Sequence, residues 1–306
     1  MSLITLSPEV AEAKAAGNPI VALESTIITH GMPFPQNVQV ARQVETTIRA
    51  KGATPATIAV IDGTLYAGLT DAQLDQLAQA ENVAKLSRAD LAVCMSKGLT
   101  GATTVAATMI AANLEGIDVF ATGGIGGVHK GAEDSFDISA DLTELAQTPV
   151  SVVAAGAKAI LDIPKTLEVL ETNGVPVIAY QQDSFPAFWS SHSPLDAPLR
   201  MDTPTRIARA HILRGEMGIP GGQLIANPIP VHDEIPVEEL APVIAQATEE
   251  ADAQGITGKS VTPFLLARIF ELTEGRSLTA NIALVLNNAR LAAEIATEIT
   301  KLRQTP

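Results

Sequence analysis

Glycines, cations and carboxylates follow one another closely in the segment 119–141, which has the sequence VFATGGIGGVHKGAEDSFDISAD. An apolar run, Val119–Ala121, opens into glycines at positions 123, 124, 126 and 127, which His129 and Lys130 follow. Carboxylates and hydroxyl groups complete the segment: Glu133, Asp134, Ser135, Asp137, Ser139 and Asp141. Glycines let backbone N–H groups approach a ligand, cations can bind a phosphate, and carboxylates can hold a hard metal ion. The segment therefore predicts a site for a phosphorylated small molecule beside a divalent cation.

The two common nucleotide-binding loops do not match this segment. Gly124 and Gly126 supply the first pair of a G-x-G-x-x-G fingerprint, but the third position is His129 and the following residues are polar. The segment also does not end in the G-K-S/T of a phosphate-binding P-loop. The simpler alternative is a surface hairpin or β-bulge with a solvated acidic edge.

A second candidate is Glu24, which interrupts the apolar run in VALESTIITHGMPFPQN, residues 21–37. A carboxylate in such a run needs a partner or a function. We expect Glu24 to donate or accept a proton; alternatively, it is a strand-end carboxylate satisfied by nearby backbone N–H groups.

A third candidate is Lys158, which follows an apolar strand and a glycine in SVVAAGAKAILDIPKTLE. A lysine in apolar surroundings beside a helix start is a candidate for the neutral amine that attacks a carbonyl carbon. The alternative is a surface lysine whose stem lies along apolar residues.

Further polar residues precede a helical pattern or stand in apolar contexts. Lys85 and Arg88 precede a predicted strand, and Gly101–Thr104 leads into a helix whose amino end is suited to a phosphate. Thr103 and Thr104 as ordinary helix caps are the alternative. Asn281 can orient polar substrate atoms.

Short β-branched runs alternate with alanine- and leucine-rich helical patterns along most of the chain. The predicted strands are Ile20–Thr26, Thr57–Ile61, Thr64–Ala67, Leu91–Met95, Val119–Thr122, Ser151–Ala155, Val175–Tyr180 and Gln223–Ala226. The predicted helices are Pro35–Lys51, Asp71–Gln79, Thr104–Asn113, Lys165–Asn173, Thr203–Arg214, Val237–Ala253, Val261–Leu272 and Ala280–Arg303. The pattern predicts a single α/β domain over 1–306, with three α/β/α layers, a largely parallel or mixed sheet and a helical C-terminal layer. Ligands of such sheets bind beyond the carboxyl ends of the strands, where Glu24, Thr122 and Lys158 are expected.

Composition limits the partners of the chain. A net charge of −14 disfavours nucleic-acid backbones and anionic membranes, so an anionic substrate requires a local group of cations. The single cysteine, Cys94, and the absence of a signal-peptide pattern or a long apolar run predict a cytoplasmic protein. Five scattered histidines give no zinc-ligand spacing, so Mg²⁺ or Mn²⁺ held by carboxylates is the better prediction.

Seven blocks spread over nearly the whole chain resemble the pseudouridine-5′-phosphate glycosidase family: ALESTIITHGMPFPQN, GATTVAATM, FATGGIGGVHKGAEDSFDISADL, AGAKAILD, GVPVIAYQQDSFPAFW, ANPIP and TPFLLARIFELT. The resemblance implies reversible cleavage of pseudouridine 5′-phosphate to uracil and ribose 5-phosphate. It also implies one divalent ion per subunit, usually Mn²⁺, and a homotrimer.

The resemblance also implies roles for individual residues. The family's lysine nucleophile falls on Lys158, its proton donor on Glu24 and its metal-binding aspartate on Asp137. The implied substrate contacts are Lys85, Val105, Ser139, Ala140 and Asp141, together with Thr122, His129 and Asn281.

The chemistry explains these residue types. The scissile bond joins C1′ of ribose to C5 of uracil, and a pair of carboxylates that suffices for a leaving oxygen is a poor match for a leaving carbon. An iminium between Lys158 and C1′ of the opened ribose supplies an electron sink, and Glu24 moves the protons.

Two other functions are compatible with the motifs. A phosphosugar aldolase or isomerase could use the same lysine on ribose 5-phosphate alone. A non-catalytic sensor of phosphonucleosides would use the glycine loop only for binding and would tolerate Lys158→Met.

Overall fold

The computed structural model describes residues 3–256 and 261–304. Their strands are β1 Ile4–Leu6, β2 Ile20–Leu23, β3 Thr54–Ile61, β4 Thr64–Ala67, β5 Ala84–Leu86, β6 Gly101–Thr103, β7 Val119–Ala121, β8 Ser151–Ala154, β9 Val177–Tyr180, β10 Leu199–Met201 and β11 Gln223–Ala226. Their helices are α1 Pro8–Ala16, α2 Thr26–Thr29, α3 Gln36–Ala50, α4 Asp71–Gln79, α5 Leu91–Ser96, α6 Val105–Leu114, α7 Ala132–Ser135, α8 Ala140–Gln147, α9 Ile163–Thr172, α10 Pro204–Glu216, α11 Val237–Ala253, α12 Val261–Leu272 and α13 Arg276–Gln304. A short 3-10 helix, Val231–Asp233, follows β11.

One mixed sheet contains all of these strands, in the order β1-β4-β3-β2-β7-β8-β11-β9-β10, with β6 paired to β3 and β5 paired to β6. From β3 through β2, β7, β8, β11 and β9 to β10 the neighbours are parallel, whereas β4 and β6 run antiparallel to β3. The central strands are buried on both faces, as their apolar sequences require. Because β2, β7 and β8 are parallel neighbours, the loops that leave their carboxyl ends meet at one edge.

Helices cover both faces of this sheet, which confirms the predicted α/β/α layers and the helical C-terminal layer. Helix α13 packs against β2, β7 and β8 and contacts α3 and α10, whereas α6 packs against β2 and β7 and contacts α8. The fully buried Asn288 fixes α13 to the sheet edge, since its amide donates to the Thr122 carbonyl at 2.8 Å and accepts from Asn227 at 3.0 Å. The C-terminal helix thereby forms part of the wall at the carboxyl ends of the strands.

Local sequence explains where several helices begin and end. Ser7 accepts a hydrogen bond from the Val10 N–H ahead of α1, which ends at Gly17 in the left-handed conformation. Thr70 and Gln73 form a reciprocal capping box at the start of α4. None of the helices within the described ranges combines the length and the apolar character that a membrane span requires.

The structure corrects one predicted element. Leu91–Met95, predicted as a strand, lies within helix α5, in which the Cys94 N–H donates to the Asp90 carbonyl at 2.8 Å. A short apolar run has no period long enough to separate a strand from one buried turn of helix. The helices α1, α2, α7 and α8 and the three-residue strands β1, β5, β6 and β10 were not predicted.

Candidate active site

A cavity of about 360 Å³ lies beyond the carboxyl ends of the central strands. Its lining residues come from segments that lie between the end of β2 and the helix α13 in the chain. Every predicted site residue except Thr122 lines the cavity: Glu24, Lys85, Val105, His129, Asp137, Ser139, Ala140, Asp141, Lys158 and Asn281. Side chains that are distant in sequence thus converge at the edge where ligands of open α/β sheets bind.

Glu24 follows the last residue of β2 and is half-buried in the cavity wall. Thr26 donates its hydroxyl hydrogen to Glu24 Oε2, and Thr122 donates its own to Oε1. The carboxylate is therefore oriented by two side-chain hydroxyl groups, and not by the backbone N–H groups of the alternative interpretation. Thr122 is 2% exposed and lies behind Glu24 instead of lining the cavity. A direct contact between Thr122 and substrate stays a prediction.

Lys158 is placed by a backbone extension of the parallel sheet. Ala157 forms an isolated parallel bridge with Ile125, and the Lys158 N–H donates to the Ile125 carbonyl at 3.1 Å. The side chain is half-buried in the cavity, and within residues 3–256 and 261–304 its Nζ has no hydrogen-bonded or ion-paired partner. The expectation that Lys158 adjoins a helix start is wrong, because α9 begins only at Ile163, after its cap Asp162.

The glycine loop is tied to the amino end of α6 by one buried carboxylate. Asp141 accepts the Gly126 N–H at 2.7 Å through one oxygen and the Ala106 N–H at 2.9 Å through the other. A Cβ atom on Gly126 would lie 2.3 Å from Ser139 Oγ, so this close approach requires glycine. Asp141 thus positions both the loop and the first turn of the helix that starts at Val105.

Two histidines that line the cavity, His129 and His30, have lowered pKa values, and neighbouring lysines contribute to both shifts. Burial lowers the pKa of His129 below its ordinary value; the nearby Asp137 carboxylate opposes the shift, and the charges of Lys158 and Lys85 add to it. His129 is therefore predominantly neutral at neutral pH and offers a single ring N–H. Burial, followed by the charge of Lys85, also lowers the pKa of His30.

Asp137 is the predicted ligand of a divalent ion. It lines the cavity half-buried, and its backbone carbonyl accepts the His129 N–H at 3.0 Å. In the described part of the chain, no three side chains of His, Cys, Asp or Glu form a group that could hold a metal ion. An ion at Asp137 would therefore have to be held by that one carboxylate together with waters and substrate oxygens, a mode that Mg²⁺-like ions tolerate.

The C-terminal helices and one loop supply lining residues to which sequence reasoning assigned no role. Thr262, Pro263 and Leu266 come from α12, and Phe188 comes from the loop after β9. All four fall within the blocks that carry the family resemblance, which is the only sign of them in the sequence. Thr26, the second hydroxyl donor to Glu24, also received no role from the sequence, although it too lies within one of these blocks.

Comparisons with known proteins identify the family of this chain. The family described as indigoidine synthase A like protein matches residues 9–298. Pseudouridine-5′-phosphate glycosidase of Jannaschia sp. (strain CCS1) is 69% identical over 297 residues, which cover 97% of this chain and 98% of that protein. Pseudouridine-5′-phosphate glycosidase of Roseobacter denitrificans is 73% identical over 290 residues, covering 95% and 94% of the two chains.

Two crystal structures share the fold over nearly their full length. Prealnumycin C-glycosynthase AlnA in complex with ribulose 5-phosphate superposes with a TM-score of 0.92 at 37% identity and full coverage of both chains (100%). An indigoidine synthase A-like protein from Thermotoga maritima superposes with a TM-score of 0.88 at 33% identity, covering 97% of this chain and 96% of that one. The chain therefore belongs to the indigoidine synthase A-like family and, within it, to the pseudouridine-5′-phosphate glycosidases.

Proposed function

We propose that this protein reversibly cleaves the C–C glycosidic bond of pseudouridine 5′-phosphate, giving uracil and ribose 5-phosphate. The observation that carries the proposal is that Lys158 and Glu24 line one cavity in a chain 69% identical to a protein of that name. The related C-glycosynthase, whose crystal structure holds ribulose 5-phosphate, supports C-glycoside chemistry on a pentose phosphate.

Lys158 is the nucleophile of the proposed reaction. Its Nζ forms a bond to C1′ of the ribose while the C1′–O4′ bond breaks, which opens the ring. The nitrogen lone pair then forms a C=N bond as the bond from C1′ to C5 of uracil breaks. Water hydrolyses the resulting iminium, which releases ribose 5-phosphate and restores the amine.

Glu24 moves the protons that these steps require. It takes the proton that Lys158 loses before the attack and gives it to O4′ as the ring opens. It then takes up the proton that the substituted nitrogen loses and delivers it to C5 of the leaving uracil. The hydrogen bonds from Thr26 and Thr122 hold its carboxylate at the cavity wall during these transfers.

The 5′-phosphate belongs at the polar end of the cavity. There Lys85 offers positive charge and His129 offers a ring N–H. The N–H groups of Gly126 and Ala106 are already bound to Asp141. This local arrangement is what a protein of net charge −14 needs in order to bind an anionic substrate.

We propose that Asp137 holds one Mn²⁺ ion per subunit through a single carboxylate. When bound, such an ion would neutralise and orient oxygen atoms of the substrate. Asp137→Asn keeps the size of the side chain and removes its charge, so it is expected to raise the Mn²⁺ concentration needed for activity. Equal Mn²⁺ dependence of the two proteins would assign the metal to other groups.

The proposed assembly is a homotrimer of cytoplasmic subunits, each a single domain over 1–306. One continuous sheet from β1 to β10 supports the single domain, and the family resemblance supports the trimer. Light scattering of the purified protein would give three times the subunit mass of 31.9 kDa if the trimer is correct.

The function is tested by incubating the protein with pseudouridine 5′-phosphate, with Mn²⁺ or with EDTA, and measuring both products by chromatography. Metal-dependent release of uracil and ribose 5-phosphate in equal amounts is the expected result. Tight binding of the nucleotide without release would instead support a sensor. Conversion of ribose 5-phosphate without any base would support an aldolase or isomerase.

A further inference from the structure

We propose that the ring of Phe188 is the surface on which the uracil ring lies, so that Phe188 selects a planar base. This inference rests on the proposed function and adds to it the residue that recognises the leaving group. Phe188 lines the same cavity as Glu24 and Lys158.

The ring of Phe188 lies directly against the glycine loop. A Cβ atom on Gly124 would be 2.6 Å from Phe188 Cε2, so only glycine lets the ring take this position. Gly124 follows β7 and precedes Ile125, whose carbonyl accepts the Lys158 N–H. The aromatic ring is thereby placed at the loop that also positions the proposed nucleophile.

The ring has little freedom to move. Phe188 is 3% exposed, and it packs edge-to-face on Trp189 with ring centroids 4.9 Å apart and an interplanar angle of 68°. Its N–H donates to the Ala155 carbonyl at 3.1 Å, just beyond β8. A rigid aromatic surface is pre-organised for a flat ligand, because little conformational entropy is lost on binding.

The backbone of Phe188 is strained. Its φ of 63° lies in the left-handed region, which a bulky residue other than glycine rarely adopts. Strain of this kind persists only where the surroundings enforce it, and it is concentrated at functional sites.

Polarity changes along the glycine loop in a way that orients the substrate. The closest side chains around Gly126 are Ser139 and Asp141, beside the amino end of α6. Around Gly123 and Gly124 the neighbouring side chains include Asn281 and Phe188, which carry no charge. The Asp141 carboxylate repels a phosphate and already accepts the Gly126 N–H, so the phosphate belongs beside Lys85 and His129 and the neutral base near Gly124. There uracil can place one face on Phe188 and its polar edge within reach of Asn281.

The competing explanation is that Phe188 only fills the core beside Trp189. The two explanations differ in which substrate the ring affects, because a stacking surface acts on uracil and not on ribose 5-phosphate. The reaction is therefore measured in the direction of synthesis, in which uracil and ribose 5-phosphate are separate substrates.

The central variant is Phe188→Leu, which keeps an apolar side chain and removes the flat ring. Stacking of a base on an aromatic side chain contributes enough to predict a KM for uracil raised about tenfold. Reductive trapping of ribose 5-phosphate on Lys158, which needs no base, is expected to proceed at the wild-type rate. A KM for uracil within about twofold of wild type, or equal losses with both substrates, would overturn the proposal.

Phe185→Leu is the matched control, since Phe185 is fully buried, lies three positions away in the chain and does not line the cavity. It is expected to lose stability without a selective change in the KM for uracil. Gly124→Ala tests the same surface from the other side, because the added methyl group collides with the ring. It is expected to show the uracil-selective defect of Phe188→Leu.

One measurement uses only the wild-type protein, so it tests the proposal even if Phe188→Leu does not fold. Uracil is expected to inhibit cleavage by the wild-type protein about tenfold more strongly than the puckered 5,6-dihydrouracil. Equal inhibition by the two compounds would overturn the stacking surface. A wild-type protein that neither forms products nor traps ribose 5-phosphate would overturn the proposed function and this inference together. Normal turnover with an unaffected Phe188→Leu would overturn this inference alone.

Discussion

The hydroxyl group of Thr122 donates a hydrogen bond to Glu24 Oε1, and so links the ends of the neighbouring parallel strands β7 and β2. Thr26 donates to the other carboxylate oxygen. Because Thr122 is buried behind Glu24 and does not line the cavity, its expected role is to position the carboxylate.

Removing this hydroxyl group should slow the chemical step more than it weakens substrate binding. A hydrogen bond to a charged group contributes about 1.5–3 kcal/mol, so Thr122→Val is expected to lower kcat about tenfold or more. KM should stay within about twofold of wild type. Thr122→Ser keeps the hydroxyl group and should restore most of kcat. A serine variant as slow as the valine variant would show that the methyl group, and not the hydrogen bond, matters.

Gly126→Ala should distort the glycine loop and the amino end of α6. The added Cβ atom would lie 2.3 Å from Ser139 Oγ and 2.7 Å from Asp141 Oδ2, so the link between the loop and α6 must shift. We expect KM for pseudouridine 5′-phosphate to rise at least about tenfold.

The matched control for this change is Gly215→Ala, at an exposed position of α10 where a Cβ atom would meet nothing within 4 Å. It should leave the kinetics unchanged and raise the free energy of unfolding by up to about 1 kcal/mol, since alanine favours a helix. Unchanged kinetics in Gly126→Ala would refute the assigned role of the loop.

His30 should contribute to the pH dependence of stability. Burial, followed by the charge of Lys85, lowers its pKa in the folded protein, while the Val83 carbonyl opposes the shift. The unfolded chain then binds a proton more readily than the folded protein does. This contribution to stability is complete above the ordinary value of 6.5 and is lost as the pH falls below it.

Thermal unfolding measured between about pH 7 and about pH 5 tests this sign. His30→Gln removes the titrating group and should flatten the decrease in Tm toward acid. Parallel curves for wild type and His30→Gln would show that His30 is not protonated differently in the two states.

Asn288→Ala should destabilise the contact between α13 and the sheet edge. The substitution leaves the amide of Asn227 and the carbonyl of Thr122 without their partner in a fully buried place. We expect the free energy of unfolding in urea to fall by about 2 kcal/mol. Arg290→Ala, at an exposed position of the same helix, should change it by less than about 0.5 kcal/mol.

The elements predicted most accurately carry strong local signals. Asp71–Gln79, Val237–Ala253, Val261–Leu272 and Gln223–Ala226 have the predicted boundaries. The capping box at Thr70 marks the start of the first of these helices, and long apolar periods mark the next two. By contrast, the three-residue strands β1, β5, β6 and β10 are too short to show an alternating pattern, and pairing with neighbours defines them.

The site could be predicted by residue type but not by arrangement. Glu24 and Lys158 are unusual where they stand in the sequence, because each interrupts or follows an apolar strand. Nothing local indicates that Thr122 and Thr26 both donate to one carboxylate, or that Phe188 lies on Gly124. Such contacts join residues far apart in the chain and depend on the packing of the complete sheet.

The Schiff base on Lys158 is tested by incubating the protein with pseudouridine 5′-phosphate and cyanoborohydride and mapping the modified peptide by mass spectrometry. We expect at most one reduced pentose phosphate per subunit, attached to Lys158, with activity falling as the adduct accumulates, and no adduct in Lys158→Met. Continued uracil release with no adduct and no loss of activity in the presence of cyanoborohydride, or continued release by Lys158→Met, would contradict the Schiff-base mechanism.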